Sequence, residues 1–227
     1  HRIAFLLYKI KNLTSDKVLI FAPNKVFSEY ISNVLPELGE ENTKETTFSD
    51  FFETYITEYK NIESFTSFIE RYYKYEETQT ELIKFKQSDE IIPVLEEYIK
   101  NYSSKAVFTS EIFNIELYVE KAKLNYYLTQ RYSSLPLFER LDEISLKIAE
   151  QEFRNNKSKA KQVKKWLKEI LNISVDPKEI YKGFYKSEEF KNAFHREIPD
   201  SYVDKLDGKD ISYEDACLFV YMKSLLC

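Results

Sequence analysis

The chain has 227 residues, 43% of them hydrophobic, which is enough for one large packed domain or two smaller ones. Its net charge of −5 argues against a general nucleic-acid-binding surface, and its three glycines leave no glycine-rich loop to hold phosphates. Two cysteines and two histidines offer no metal-ligand spacing, and no apolar run approaches the roughly 18 residues of a membrane span. We therefore expect a cytoplasmic protein with no metal site.

The first part of the chain has the pattern of an α/β unit. The apolar, β-branched-rich run at 18–21 predicts a strand buried on both faces of a parallel sheet, and Pro23 ends it. A helix with apolar residues at a period near 3.6 follows, and Gly39 is its expected stop. Residues 45–48 again resemble a strand. Strand, helix and strand together predict one βαβ unit.

The middle of the chain is mainly helical by its apolar periodicity. Asp89 is predicted to cap a helix that carries Pro93 in its first turns. Between 105 and 118 the helical period weakens and β-branched or aromatic residues alternate, which predicts a small hairpin. A helix resumes at 119–128.

Further helices fill the C-terminal part. A long amphipathic helix begins near Pro136 and becomes almost wholly polar across 155–162. Residues 155–159 within it form either an exposed helical turn or the tip of a helical hairpin. Asp176 and Ser187 are predicted to cap two short helices. The last helix, 212–226, is apolar nearly all round, as expected inside a larger protein.

Two short motifs and the linker between them resemble a known family. The segment APNK at 22–25 resembles motif Ia of the superfamily 1 helicases of UvrD/Rep type, and TTFSDF at 46–51 resembles their motif Ib. The linker at 30–40 is most similar to the HelD branch. HelD-like proteins are nucleotide-driven factors that bind bacterial RNA polymerase and free it from stalled nucleic acid, and the resemblance implies the same role here.

The resemblance also implies a discontinuous architecture. Residues 1–60 and 205–227 would form part of a RecA-like P-loop core, and 61–204 a mainly helical insertion, giving a mainly α fold with a small α/β part. The chain begins inside an apolar helix without a capping signal, which predicts a fragment that starts after its P-loop; the alternative is that His1 is a tag remnant. The segment YEDA at 213–216 resembles the residues that precede the Walker B strand.

No catalytic constellation can be assembled from the residues present. Phosphoryl transfer needs a phosphate-binding loop, residues that hold Mg²⁺ and a charge-stabilising arginine. Acidic pairs such as Glu96 and Glu97 are more typical of solvated helix faces, and His195 lies in a charged stretch. We therefore expect no enzymatic activity from this fragment, while an intact parent of the resembled family would bind ATP and Mg²⁺ and act as an ATPase.

In the resembled family, motifs Ia and Ib line the channel for single-stranded DNA. The resemblance implies nucleic-acid contacts at Asn24, Lys25, Thr47, Phe48 and Ser49. Two departures disfavour strand translocation, since a serine stands at 49 where the helicases usually have histidine, and a proline at 23 where they have threonine. The structural alternative is that Phe48 packs on the sheet while Asn24 and Lys25 cap the following helix.

A basic segment is the candidate partner-binding surface. Residues 145–171 contain eight basic and three acidic residues, a net charge of +5. The candidate contacts are Arg154, Lys157, Lys159, Lys161, Lys164 and Lys165. A solvated helix face is the simpler interpretation.

The resemblance implies that 61–204 is a wedge that binds RNA polymerase, and the abundant tyrosines suit a protein interface. Two other functional classes stay open. The chain could be part of a DNA-unwinding helicase, or a free-standing helical interaction module.

Overall fold

The computed structural model describes residues 2–37, 43–74, 77–153 and 156–227. The protein is 63% helix and 9% strand, which confirms the predicted mainly α fold with a small α/β part. By packing, the chain divides into two compact units, His1–Thr57 and Glu58–Cys227, called here the first and second units. None of the helices in these described ranges is both long and apolar enough to cross a bilayer.

The first unit contains the predicted βαβ arrangement. Its elements are α1 (Arg2–Lys9), β1 (Leu19–Ala22), α2 (Lys25–Glu37), β2 (Lys44–Thr47) and α3 (Phe48–Tyr55). Strands β1 and β2 are parallel and in register from Leu19 opposite Lys44 to Ala22 opposite Thr47. β1 ends directly before Pro23, which cannot donate to a strand ladder. The predicted stop of α2 at Gly39 lies outside the described residues.

The prediction that β1 is buried on both faces was wrong. Ile20 and Ala22 are buried, but Leu19 and Phe21 are 46% and 40% exposed. Helix α2 covers the face that carries Ile20. On this face the hydroxyls of Ser28 and Ser32 in α2 donate to the carboxylate of Glu45, which lies opposite Ile20 in β2. The opposite face carries Leu19 and Phe21, because successive side chains of a strand alternate between faces.

The second unit is a helical body with two very short sheets. Strand β3 (Asn61–Ile62) pairs in parallel with β6 (Asp210–Ile211), and β4 (Ile112–Phe113) pairs antiparallel with β5 (Tyr118–Val119), which confirms the predicted small hairpin. The helices are α4 (Phe65–Tyr72), α5 (Glu77–Lys86), α6 (Ile91–Ser104), α7 (Lys121–Tyr126), α8 (Leu137–Glu152), α9 (Ala160–Glu169), α10 (Pro177–Lys186), α11 (Glu188–Phe194), α12 (Asp200–Lys205) and α13 (Tyr213–Leu226).

Several helix starts follow from their capping residues. The side chains of Asp176, Ser187 and Ser212 each accept a backbone N–H hydrogen bond at the start of α10, α11 and α13, as predicted. The predicted cap at Asp89 was wrong. Helix α6 follows a turn in which Glu90 already has helical dihedral angles, so no extended residue with a capping side chain precedes it.

The polar stretch after α8 is the tip of a helical hairpin. Helix α8 ends at Glu152, a 3₁₀ turn spans Lys157–Lys159, and α9 packs back against α8. Of the two alternatives that the sequence left open, the structure therefore shows the hairpin tip and not an exposed turn within one long helix. Arg154 and Asn155 lie outside the described residues.

The last helix is central to the second unit. Helix α13 contacts α5, α6, α8 and α10, and its Phe219, Met222 and Leu226 are fully buried. Residues 205–227 therefore pack with 61–204, whereas the predicted boundaries grouped them with 1–60. The reason is that a helix apolar on nearly all sides must lie among other helices to be buried. The assignment of 1–60 and 205–227 to a RecA-like core stays a prediction.

Candidate functional site

The predicted nucleic-acid contacts lie together at one edge of the first unit. The carboxyl ends of β1 and β2 are adjacent, so Asn24 and Lys25 follow one strand where Thr47, Phe48 and Ser49 follow the other. An ion pair of 3.6 Å between Lys25 Nζ and the Asp50 carboxylate joins the two segments. Ligands of open α/β sheets bind at such carboxyl-end edges, so this position is suited to a binding site.

Two of these side chains already cap helices. Asn24 Oδ1 accepts a 2.9 Å hydrogen bond from Phe27 N at the start of α2. Thr47 Oγ1 accepts a 3.2 Å hydrogen bond from Asp50 N at the start of α3 and donates to the Asp50 carboxylate. Asn24 therefore has the capping role of the structural alternative, while Lys25 instead pairs with Asp50 and is 79% exposed at its side chain.

Phe48 packs on the open face of the sheet and still exposes half of its surface. Its ring stacks on Phe21 with centroids 4.8 Å apart and lies near Phe52. The residue is 52% exposed, and Ser49 beside it is exposed. The edge thus presents one cation, one hydroxyl and an aromatic ring, which are groups that contact single-stranded nucleic acid in other proteins.

The basic segment lies on the α8–α9 hairpin, and part of its charge is neutralised within the chain. Lys159 Nζ donates to the Glu116 carboxylate at 2.8 Å, and Lys164 pairs with Asp142. Arg154 lies outside the described residues, and Lys157 is the first residue of the 3₁₀ turn at the hairpin tip. Lys159 and Lys164 are therefore less available to a partner than the sequence suggested.

Three lysines of α9 form an exposed row, which we call the lysine stripe. Lys161, Lys165 and Lys168 are exposed and lie four and three residues apart, so they share one helix face. Among the described residues, the one ion-pair contact of Lys165 is with Glu169 on the same helix, at 3.9 Å. Such an exposed pair contributes little energy, so the stripe keeps its positive charge available to a partner.

The main feature that sequence reasoning missed is a group of charges, called here the buried ion cluster, in which Lys86, Glu214 and Asp215 are buried and Glu63 and Arg71 are partly buried. Lys86 Nζ, fully buried, lies 3.0 Å from Asp215 and 3.4 Å from Glu214. Arg71 contacts Glu214 at 2.6 Å and donates two hydrogen bonds to Glu63. The cluster therefore joins the start of α13 to α4 and α5.

Four hydroxyl groups surround the Asp215 carboxylate. Tyr181 and Tyr185 donate to Oδ1 at 2.8 and 2.6 Å, while Tyr202 and Ser212 donate to Oδ2, both at 2.7 Å. Burial by itself would raise the pKa of Asp215, but the Lys86 ammonium and these donors hold that pKa at about 2.

Burial, and next the Asp215 charge, raise the pKa values of the three tyrosines well above their usual range. At neutral pH the tyrosines are therefore neutral donors to an ionised carboxylate. Because its members satisfy one another, the cluster is suited to holding helices together rather than to transferring protons. The one signal of this cluster in the sequence is the spacing of Ser212 and Asp215, which are three residues apart as in a helix cap.

A cavity of about 760 Å³ lies beside the buried ion cluster. Arg71, Lys86 and Tyr202 contribute polar groups to its wall, and Leu82 and Phe194 contribute apolar ones. This volume is in the range of small-molecule sites. Its buried charges already have partners, so no group in the wall stands out as ligand-binding.

The nucleotide that the resemblance implies for an intact parent does not fit the described residues. A phosphate-binding loop needs glycines between a strand and a helix. Gly183 lies inside α10 and Gly208 lies in a turn before β6, while Gly39 is outside the described residues. In the same ranges, no group of three or more histidines, cysteines or carboxylates is placed to hold a metal ion. We therefore derive no step through ATP or Mg²⁺.

Compared with known proteins, the chain matches no protein-family model and no curated protein. Its function is therefore inferred from its residues and from where the fold places them.

Proposed function

We propose that this chain is part of a HelD-like member of the UvrD/Rep-type superfamily 1 family, a cytoplasmic factor that binds and recycles bacterial RNA polymerase. The observation that carries the proposal is the parallel β1–α2–β2 unit. It brings the segments that resemble motifs Ia and Ib to adjacent strand ends, where ligand sites of α/β folds occur. In this proposal the chain itself catalyses no reaction, and ATP and Mg²⁺ are bound by residues of the parent outside it.

The placement of the site residues favours polymerase binding over strand unwinding. Asn24 and Thr47 use their side-chain acceptors to cap α2 and α3, which leaves the strand-end edge few polar groups for phosphates. The second unit, in contrast, carries the exposed lysine stripe on a hairpin of two packed helices. An exposed row of like charges on a helix is suited to steering the chain onto a large, oppositely charged protein surface.

A DNA-unwinding helicase is the second candidate, and the half-exposed ring of Phe48 favours it. An aromatic ring beside a lysine at a strand end is a usual platform for stacking a base. In this alternative Phe48 and Lys25 would hold single-stranded DNA, and the second unit would be accessory.

Binding of the purified chain to two probes distinguishes the candidates. Immobilised bacterial RNA polymerase core enzyme and a fluorescent single-stranded oligonucleotide are titrated with the chain at the same salt concentration. We expect saturable binding to polymerase and only feeble binding to DNA. Firm DNA binding that Phe48→Ala and Lys25→Ala weaken, without polymerase binding, would support the unwinding helicase. Binding to neither probe would contradict both candidates.

A further inference from the structure

A second pocket, of about 570 Å³, lies in the second unit away from the buried ion cluster. Its wall is formed by the last turns of α6, the turn that precedes α8, the first turn of α8 and the end of α13. Ile99, Leu135, Leu137 and Leu225 give it an apolar side. The pocket is large enough for a small organic molecule.

Arg140 in the wall of this pocket has no counter-ion. Its Nε donates to the backbone oxygen of Leu135 at 2.6 Å, and no carboxylate among the described residues forms an ion pair with its guanidinium. Burial lowers the pKa of Arg140, because no neighbouring negative charge compensates the loss of water. Arg71 of the same unit, in contrast, contacts both Glu63 and Glu214. A partly desolvated, unpaired guanidinium is costly unless an anion pairs with it.

Two further donors line the same pocket. Ser103 is only 9% exposed, and its hydroxyl has no hydrogen-bond partner among the described residues. Lys100 is exposed and forms no ion pair in the same ranges. The one acid of the lining, Glu96, accepts a 2.5 Å hydrogen bond from Tyr221.

Three other hydroxyls of the wall are already used. Ser104, Thr129 and Ser133 each donate to a backbone carbonyl of their own helix or turn. A hydroxyl has a single proton to donate, so these groups can offer a ligand only acceptor positions. The side-chain donors that remain available are therefore the terminal nitrogens of Arg140, the ammonium of Lys100, the buried hydroxyl of Ser103 and the hydroxyl of Ser134, which is exposed.

We propose that this pocket binds a phosphorylated small molecule, with its phosphate between Arg140, Lys100 and Ser103. A phosphate monoester has three terminal oxygens, which match three separate donors, whereas a carboxylate has two. The planar guanidinium can donate two parallel hydrogen bonds to such a group. The apolar side of the pocket would contact the organic part. This binding site is independent of the proposed role in polymerase recycling.

Calorimetric titration of the full chain with matched probes tests the proposal. The probes are phenyl phosphate, inorganic phosphate and benzoate, with potassium chloride at equal ionic strength as the blank. We expect phenyl phosphate to bind more tightly than inorganic phosphate, and benzoate to bind more weakly than phenyl phosphate. Binding of inorganic phosphate as tight as that of phenyl phosphate would overturn the proposal, because the apolar side of the pocket would then contribute nothing. No heat beyond the chloride blank, or equal binding of benzoate and phenyl phosphate, would overturn the proposal.

Variants locate the site. Arg140→Gln should weaken phenyl phosphate binding at least about tenfold, because it removes charge-assisted hydrogen bonds. Arg131→Gln is the matched control, since Arg131 is exposed and does not line the pocket. If Arg140→Gln fails to fold, the double variant Lys100→Gln/Ser103→Ala decides, because neither side chain bonds the backbone. Unchanged affinity in the folded variants would overturn the proposal.

Discussion

Lys86 occupies a position where an ammonium group is costly, with its side chain fully buried. Desolvation of one such ion costs several kcal/mol, and only close partners and further hydrogen bonds offset it. Lys86 has these partners in Asp215, Glu214 and the hydroxyl of Tyr202. At the scale of single residues, the second unit therefore depends on complete pairing of its buried charges.

Removing the cation tests that dependence. Lys86→Met keeps the apolar volume but leaves the Asp215 and Glu214 carboxylates without their shared cation, so we expect a loss of about 3–5 kcal/mol in the free energy of unfolding. Lys84→Met is the control, because Lys84 is exposed on the same helix, and its effect should stay within about 0.5 kcal/mol. Urea unfolding followed by circular dichroism measures both. Equal losses in the two variants would contradict the account of the cluster.

The depressed pKa of Asp215 predicts a dependence of stability on pH. Its pKa is about 2 in the folded protein against 3.8 for the unperturbed group, so the ionised form stabilises the fold above about pH 4. This contribution, roughly 2 kcal/mol, is lost as the pH falls from about 4 to 2. The stability difference between the natural protein and Asp215→Asn should therefore shrink over that interval. If this stability difference does not change with pH, the partners of Asp215 do not stabilise its ionised form.

At the scale of elements, the sequence predicted features that depend on neighbours along the chain. Capping by Ser187 and Ser212 needs only the residues of the next turn, and the βαβ unit follows from local apolar periods. The buried ion cluster was missed because it joins Lys86 to Asp215, which are far apart in sequence. The one-sided burial of β1 was missed for the same reason, since a strand pattern does not show which faces other elements cover.

Ser212 both caps α13 and bonds a carboxylate of the buried ion cluster, and the second contribution can be measured. Its hydroxyl accepts from Asp215 N at the start of α13 and also donates to the Asp215 carboxylate. Ser187 caps α11 in the same way, but its hydroxyl donates to the neutral backbone oxygen of Phe184 and not to a buried carboxylate. We expect Ser187→Ala to cost about 1 kcal/mol, and Ser212→Ala to cost more, because it also removes a bond to a charged group. Equal destabilisation by urea titration would mean that the bond to the Asp215 carboxylate contributes no more than the bond from Ser187 to the Phe184 carbonyl.

At the scale of the whole molecule, the sequence predicted which segments lie together better than which of their side chains stay available to a partner. The strand-end residues met at one edge as the motifs implied, but Asn24 and Thr47 serve as caps. Within the basic segment, net charge along the sequence did not distinguish the paired Lys159 and Lys164 from the lysine stripe. Ion pairing depends on neighbours such as Glu116 and Asp142, which a local charge count does not include. The stripe is thus the part of the segment best suited to attract a partner.

The rate of association between the chain and bacterial RNA polymerase core enzyme tests the central claim most directly. The triple variant Lys161→Glu/Lys165→Glu/Lys168→Glu reverses the lysine stripe. The matched control is the triple variant Lys60→Glu/Lys84→Glu/Lys186→Glu. It reverses three exposed lysines outside the stripe, one directly before β3, one in α5 and one in α10. Circular dichroism verifies that both keep the helical content of the natural chain.

We predict that the stripe variant associates roughly tenfold or more slowly at low salt, that the difference shrinks as salt screens the charges, and that the control changes much less. Equal slowing by both variants, or an unchanged rate for the stripe variant, would contradict the claim that this surface guides the chain to polymerase.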